Sequence, residues 1–141
     1  MIVSSNHTYR RAERLKSRKI IQTLFREGKA FSVFPYKVFF RLDQRPHPDS
    51  PVQAGFAVSA RTFPRASDRN RIKRLGREAW RKQKEALYRL LEQQGRGMQV
   101  FFVYTGRERV TYQTVYDKFS VILASLIREI AGPASGQAHK S

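Results

Sequence analysis

Between Arg61 and Lys84, ten Lys or Arg residues stand against two acids, Asp68 and Glu78. A segment this charged cannot be enclosed in a core, yet Ile72, Leu75 and Ala79 recur through it at helical spacing. At about 100° per residue these three share one side of a helix, and Asn70, Arg74, Arg77 and Arg81 fall almost diametrically opposite. Arg69 and Lys73 flank the basic stripe on the side next to Trp80, and Arg71 projects near its other edge. Such a helix docks on a core along one face and offers a polyanion-binding ridge along the other. Unpaired like charges destabilise a helix, so a face with so few acids calls for an external anion. Cations at i, i+3 and i+4 recur every ~5 Å along the axis, comparable with a phosphate repeat, and would give a salt-dependent affinity. Asn70 is a poor helix former whose amide both donates and accepts, as a base edge or a 2′-hydroxyl requires. Gly76 costs the helix interior about 1 kcal/mol relative to Ala; it either permits a close approach or is neutral.

Around this helix the chain reads as alternating elements. Residues 1–16 form a basic arm (Arg10, Arg11, Arg14, Lys16), expected to be flexible. Ser17 caps a helix over 18–27, with Ile20, Ile21, Leu24 and Phe25 on one face and Gly28 as its stop. Strands follow at 30–34 and 36–42, the second rich in aromatic and branched residues. After a loop with Pro46, Pro48 and Pro51 comes a strand at 52–59, where Gly55 signals a bulge or a close backbone approach. The basic helix spans 66–93 and is punctuated by Gly95 and Gly97. Val100–Tyr104 is a continuous apolar run, as in a strand buried on both faces. A final helix over 112–131 aligns Val115, Phe119, Ile122, Leu123, Leu126, Ile127 and Ile130, and 132–141 reads as a disordered tail. The order predicts an α+β fold: a two-layer α-β sandwich with a small mixed sheet, three helices, and a last strand able to pair in parallel with an earlier one. Residues 17–131 make one domain.

A net charge of +17 on 141 residues points to a polyanionic partner. Arg outnumbers Lys by 19 to 9, which favours forked phosphate contacts over bulk neutralisation. With no Cys, disulfides and Cys-based metal sites are excluded. No apolar run approaches the ~20 residues of a membrane span, and the N-terminus lacks the pattern of a secretory signal, so a cytoplasmic location is expected. His7, His47 and His139 have no partner at relay or ligand spacing. Asp43 and Asp49 flank the Pro-rich loop as turn residues. No protein-borne catalytic residue, metal site or bound cofactor is expected.

The run Arg69-Asn70-Arg71-x-Lys73-Arg74-x-x-Arg77-Glu78, preceded by Gly55-Phe56-Ala57-Val58-Ser59-Ala60-Arg61, resembles the signature of the bacterial ribonuclease P protein subunit. The similarity extends from about Arg14 to Ile130. The resemblance implies a left-handed β-α-β crossover and an enzyme role as the protein component of an endoribonuclease, with hydrolysis carried out by the RNA and its Mg²⁺. The implied partners are ribonuclease P RNA and precursor tRNA, with no membrane or small-molecule substrate. By position, Arg69, Asn70, Arg71, Lys73, Arg74, Arg77 and Arg81 would contact the catalytic RNA. The five-prime leader of precursor tRNA would lie in a cleft between the first helix and the sheet, lined by Ile21, Phe25, Tyr36, Val38 and Phe40, or else Phe39. Exposed aromatic faces there would stack bases with little sequence preference. The chain departs from many relatives at Ala60, where they carry Lys, and at Ile21, where they often carry an aromatic. The competing class is a structural ribosomal or general RNA-chaperone protein, for which size and charge would also suffice.

Overall fold

A computed structural model describes residues 9–44 and 47–139, with side chains through residue 131. A 3₁₀ turn at Arg11–Glu13 leads to α1 (Arg18–Glu27), β1 (Lys29–Val33), β2 (Tyr36–Asp43) and β3 (Val52–Val58). The chain continues through α2 (Ala66–Gln83), α3 (Glu85–Gln94), β4 (Gly97–Tyr104) and α4 (Tyr112–His139). The four strands lie in the order β1-β2-β4-β3. β1 with β2 and β2 with β4 are antiparallel, whereas β3 and β4 are parallel. The parallel pair follows from the long α2–α3 connection, since a tight hairpin can join only antiparallel strands.

Register divides the side chains between two faces. Tyr36, Val38 and Phe40 align with Tyr104, Phe102 and Val100, and these with Val58, Phe56 and Ala54. This face meets the helical layer through Ile72, Ala79 and Trp80 of α2, Leu87 and Leu91 of α3, and Val115, Phe119, Ile122 and Leu126 of α4. Phe102 is its centre: its ring lies 4.9 Å from Phe119 and 5.2 Å from Trp80, at tilted angles that suit aromatic quadrupoles. The second face, with Phe39, Phe101 and Val103, carries α1, seated through Leu24, and Leu15 of the preceding segment.

The glycines expected to matter do so through close contacts. A Cβ on Gly55 would stand 2.5 Å from the Phe101 ring, and one on Gly76 would stand 3.2 Å from the Phe56 ring. Gly76 is thus where α2 settles onto the sheet. Gly95 adopts φ 64° and ends α3, its N–H donating to Glu92 O and that of Arg96 to Leu91 O, which satisfies terminal carbonyls. Ser17 Oγ accepts from Ile20 N at 3.3 Å, the cap expected for α1.

Three expectations are corrected. The single helix over 66–93 is two, α2 and α3, divided at Lys84, so there are four α-helices rather than three. Lys84 keeps a right-handed backbone (φ −74°, ψ −16°), so the apolar pattern runs on unbroken while the hydrogen-bond ladder restarts. The last helix does not stop at 131 but continues past Gly132 to His139, and residues 140–141 of the predicted tail lie outside the described residues. The arm is not loose over residues 9–16. Leu15 N–H donates to Ala54 O at 2.9 Å, Tyr9 Oη–H donates to the same carbonyl at 2.7 Å, and Arg14 pairs with Ala54 in parallel. Residues 1–8 of the predicted arm lie outside the described residues.

Candidate nucleic-acid interface

α2 presents its sequence as the helical angles require. Ile72, Gly76, Ala79 and Trp80 are buried, while Asn70 and Arg74 are exposed and Lys73, Arg77 and Arg81 are half-buried on the outer side. The predicted contact residues divide into two groups. Asn70, Lys73, Arg74 and Arg77 make no side-chain hydrogen bond or ion pair among the described residues. Their donors face outward unspent.

The other three are committed within the protein. Arg69 Nη1 donates to Phe63 O and Pro64 O, both at 2.8 Å, and so braces the connection entering α2. Arg71 Nη1 donates to Val110 O at 3.2 Å, and Arg109 pairs with Asp68 at 3.0 Å, tying the β4–α4 loop to the same end of the helix. Arg81 Nη2 donates to Glu78 Oε1 at 2.7 Å. That bond holds the Glu78 carboxyl below its usual range and raises the Arg81 guanidinium. Arg69 and Arg71 retain further N–H groups, but part of each fork positions the ridge instead of meeting a ligand.

The second predicted surface lies across the sheet. Phe25 is 45% exposed, with its ring 4.7 Å from Phe39 and 5.4 Å from Phe101. Ile20, Ile21, Phe39, Ala57 and Val103 pack partly buried around the same cluster, and Lys37 Nζ stands 5.2 Å from the Phe39 ring centroid. An aromatic platform with an adjacent cation suits a single-stranded polyanion. Ile21, Phe25 and Phe39 are brought together here. Tyr36, Val38 and Phe40 are not: they are at most 3% exposed and point into the other layer, where the Tyr36 ring meets Phe119 at 5.0 Å. Alternation along β2 sends odd and even positions to opposite faces, so of the two alternatives only Phe39 reaches the cleft. Lys37, Ala57 and Val103 were missed; strand register brings them to this face.

Behind the ridge lies a buried ion pair. Glu13, 1% exposed, accepts the Lys84 ammonium and the Tyr88 hydroxyl (2.6 Å) on Oε1, and the Arg10 N–H (3.0 Å) on Oε2. Burial by itself would raise this carboxyl; Lys84, Tyr88 and the Arg10 N–H together outweigh it and hold Glu13 below its usual range. The arm is therefore pinned to the α2–α3 junction. Among the described residues no group of three or more His, Cys, Asp or Glu could hold a metal ion, and no helix is long and apolar enough to cross a membrane.

A small sheet backed by helices, with an outward guanidinium ridge and a separate aromatic platform, defines an RNA-binding α+β protein. Residues 9–126 match the ribonuclease P protein family. The chain is 37% identical over 131 residues to the ribonuclease P protein component of Porphyromonas gingivalis, covering 93% of this chain and 92% of that one. It is 34% identical over 107 residues to that of Chlorobium phaeobacteroides, covering 71% and 73%. The solved ribonuclease P protein of Thermotoga maritima superposes with a TM-score of 0.62 at 28% identity, covering 79% of this chain and 94% of that one. The Staphylococcus aureus protein shares the fold with a TM-score of 0.62 at 16% identity, over 81% of this chain and 94% of that one. The chain belongs to the ribonuclease P protein family: it is a protein component of an RNA-containing endoribonuclease of tRNA processing.

Proposed function

We propose that the chain binds ribonuclease P RNA through Asn70, Lys73, Arg74 and Arg77. In this reading it holds the five-prime leader of precursor tRNA against Phe25, Phe39 and Val103, beside Ile21. The observation that carries it is the unspent donor set on α2, set apart from an open aromatic platform on the opposite sheet face. Phosphates meet the ridge; bases of an unpaired strand stack on the platform. Hydrolysis is assigned to the RNA subunit and its Mg²⁺, and the cations of this chain reduce phosphate repulsion when the two assemble. The protein acts in the cytoplasm, where precursor tRNA is made.

The test is cleavage of precursor tRNA by ribonuclease P RNA at low Mg²⁺, with and without the protein, together with binding of precursor and mature tRNA to the assembled complex. The protein should speed cleavage and favour the precursor. Equal affinity for the two tRNAs would refute the leader-binding role.

A further inference from the structure

Residues 10–19 carry six cations (Arg10, Arg11, Arg14, Lys16, Arg18, Lys19) and one acid, Glu13. All six cations are exposed, whereas the acid is buried against Lys84. The surface of this segment is therefore wholly positive. It is also built: the 3₁₀ turn, the Glu13 anchor and the pairing of Arg14 and Leu15 with Ala54 fix its backbone on the outer edge of β3. Cations held this way lose little conformational freedom when they meet a ligand.

The position of the segment relative to α2 follows from two contacts. Lys84 reaches Glu13, and the Arg14 guanidinium carbon lies 5.5 Å from the centroid of the Tyr9 ring, whose hydroxyl feels the charge of Arg77 on α2. On a helical projection Lys73, Arg77 and Lys84 fall within about 40° of one another, so the arm runs beside the flank of α2 that bears half of its unspent donors. From Asn70 to Arg81 the ridge is about 16 Å long at 1.5 Å per residue, room for only a few phosphates.

We infer that residues 10–19 form a second phosphate-binding strip, continuous with the α2 ridge through Tyr9, that engages a separate stretch of sugar-phosphate backbone on the same structured RNA. The strip offers no apolar side chain for insertion into a lipid surface, since Leu15 is buried. Its excess of Arg over Lys suits phosphate oxygens. This inference rests on α2 being the RNA-binding face.

The experiment is a salt titration of binding to ribonuclease P RNA, with thermal melting of each protein alongside. Wild type is compared with an arm variant (Arg11→Gln, Arg14→Gln, Lys16→Gln) and a ridge variant (Arg74→Gln, Arg77→Gln). The arm variant should lower the slope of log K against log salt by about two to three, one contact contributing about 0.9 or less. Its affinity deficit should then shrink about 30-fold between 50 and 200 mM salt. A charge-retaining variant (Arg11→Lys, Arg14→Lys, Lys16→Arg) should keep the wild-type slope. An unchanged slope for the arm variant beside a reduced slope for the ridge variant overturns the strip and leaves the ridge standing. Unchanged slopes for both overturn the ridge as well. Should the triple variant melt early, Arg11→Gln and Lys16→Gln singly, which break no side-chain hydrogen bond or ion pair among the described residues, are each read for a slope loss of about one; no loss in either overturns the strip.

Discussion

Lys84→Met removes the buried charge paired with Glu13 while keeping an unbranched apolar side chain in place, and leaves the Arg10 guanidinium, at 3.2 Å, as the remaining cation. The two partners are 3% and 1% exposed at the side chain, so solvent does not screen the loss. Breaking a buried pair from one side costs about 3–5 kcal/mol. The lower end applies here, because Tyr88, the Arg10 N–H and the Arg10 guanidinium still donate to Glu13. A loss of ~3 kcal/mol lowers the melting temperature of a chain this size by about 10 °C. The pH dependence separates a charge effect from a packing effect. In the wild type Glu13 is held below 4.5, so its contribution is complete above that value and is lost as pH falls through the lowered one. In the variant, burial instead raises the carboxyl, the folded state takes up a proton, and stability rises as pH falls from 7 towards 5. The gap in melting temperature should therefore narrow over that range. Replacing both residues (Glu13→Met with Lys84→Met) should restore part of the loss, since no buried charge then remains. A gap under about 3 °C that does not change with pH would refute the reasoning and leave apolar packing of Tyr9 and Leu15 as the anchor.

Arg69→Ala should lower stability by about 1–2 kcal/mol, because two carbonyls lose a charged donor, whereas Arg74→Ala should leave the melting temperature within about 1 °C; calorimetry of the two variants checks the division of the ridge. Phe25→Ala should weaken binding of precursor tRNA by about 1–3 kcal/mol per base unstacked while leaving mature tRNA unaffected, and equal losses for both tRNAs would place Phe25 in the core instead. Gly55→Ala should destabilise by about 1–3 kcal/mol, since its Cβ has no room beside the Phe101 ring; a melting temperature at or above wild type would contradict that contact.

Periodicity made the ridge legible because a helix angle depends only on spacing. Ile72 and Ala79 had to be inside, and Asn70 and Arg74 outside. Three features were hidden for different physical reasons. β2 carries aromatic residues at both parities, so nothing local says whether Tyr36 or Phe39 meets α1. That choice is made by Phe119, which packs over Tyr36 from α4, and by Phe102, which stands beside Val38 on β4. The break at Lys84 leaves no trace in the pattern, because the apolar stripe continues into Leu87 and Leu91. In the sequence Glu13 is a lone acid in a basic arm. Its partner is 71 residues away, and no local rule joins them. A lone acid among cations, with a Lys and a Tyr four apart elsewhere, was the available signal.

The strand order has a consequence for how the chain is made. β2 and β3 are consecutive in sequence but are not paired; β4 lies between them. Until residues 97–104 leave the ribosome, β3 has no strand of the sheet to pair with, and the face meant for Phe102 stays open. During that interval α2 already exists as a segment rich in arginine with no core to rest on. The half-made protein thus displays its arginine-rich segment before the sheet that seats it is complete, and insertion of β4 is the event that closes the sheet under α2. Sheet closure by a late central strand is also a long-range step, slow by nature.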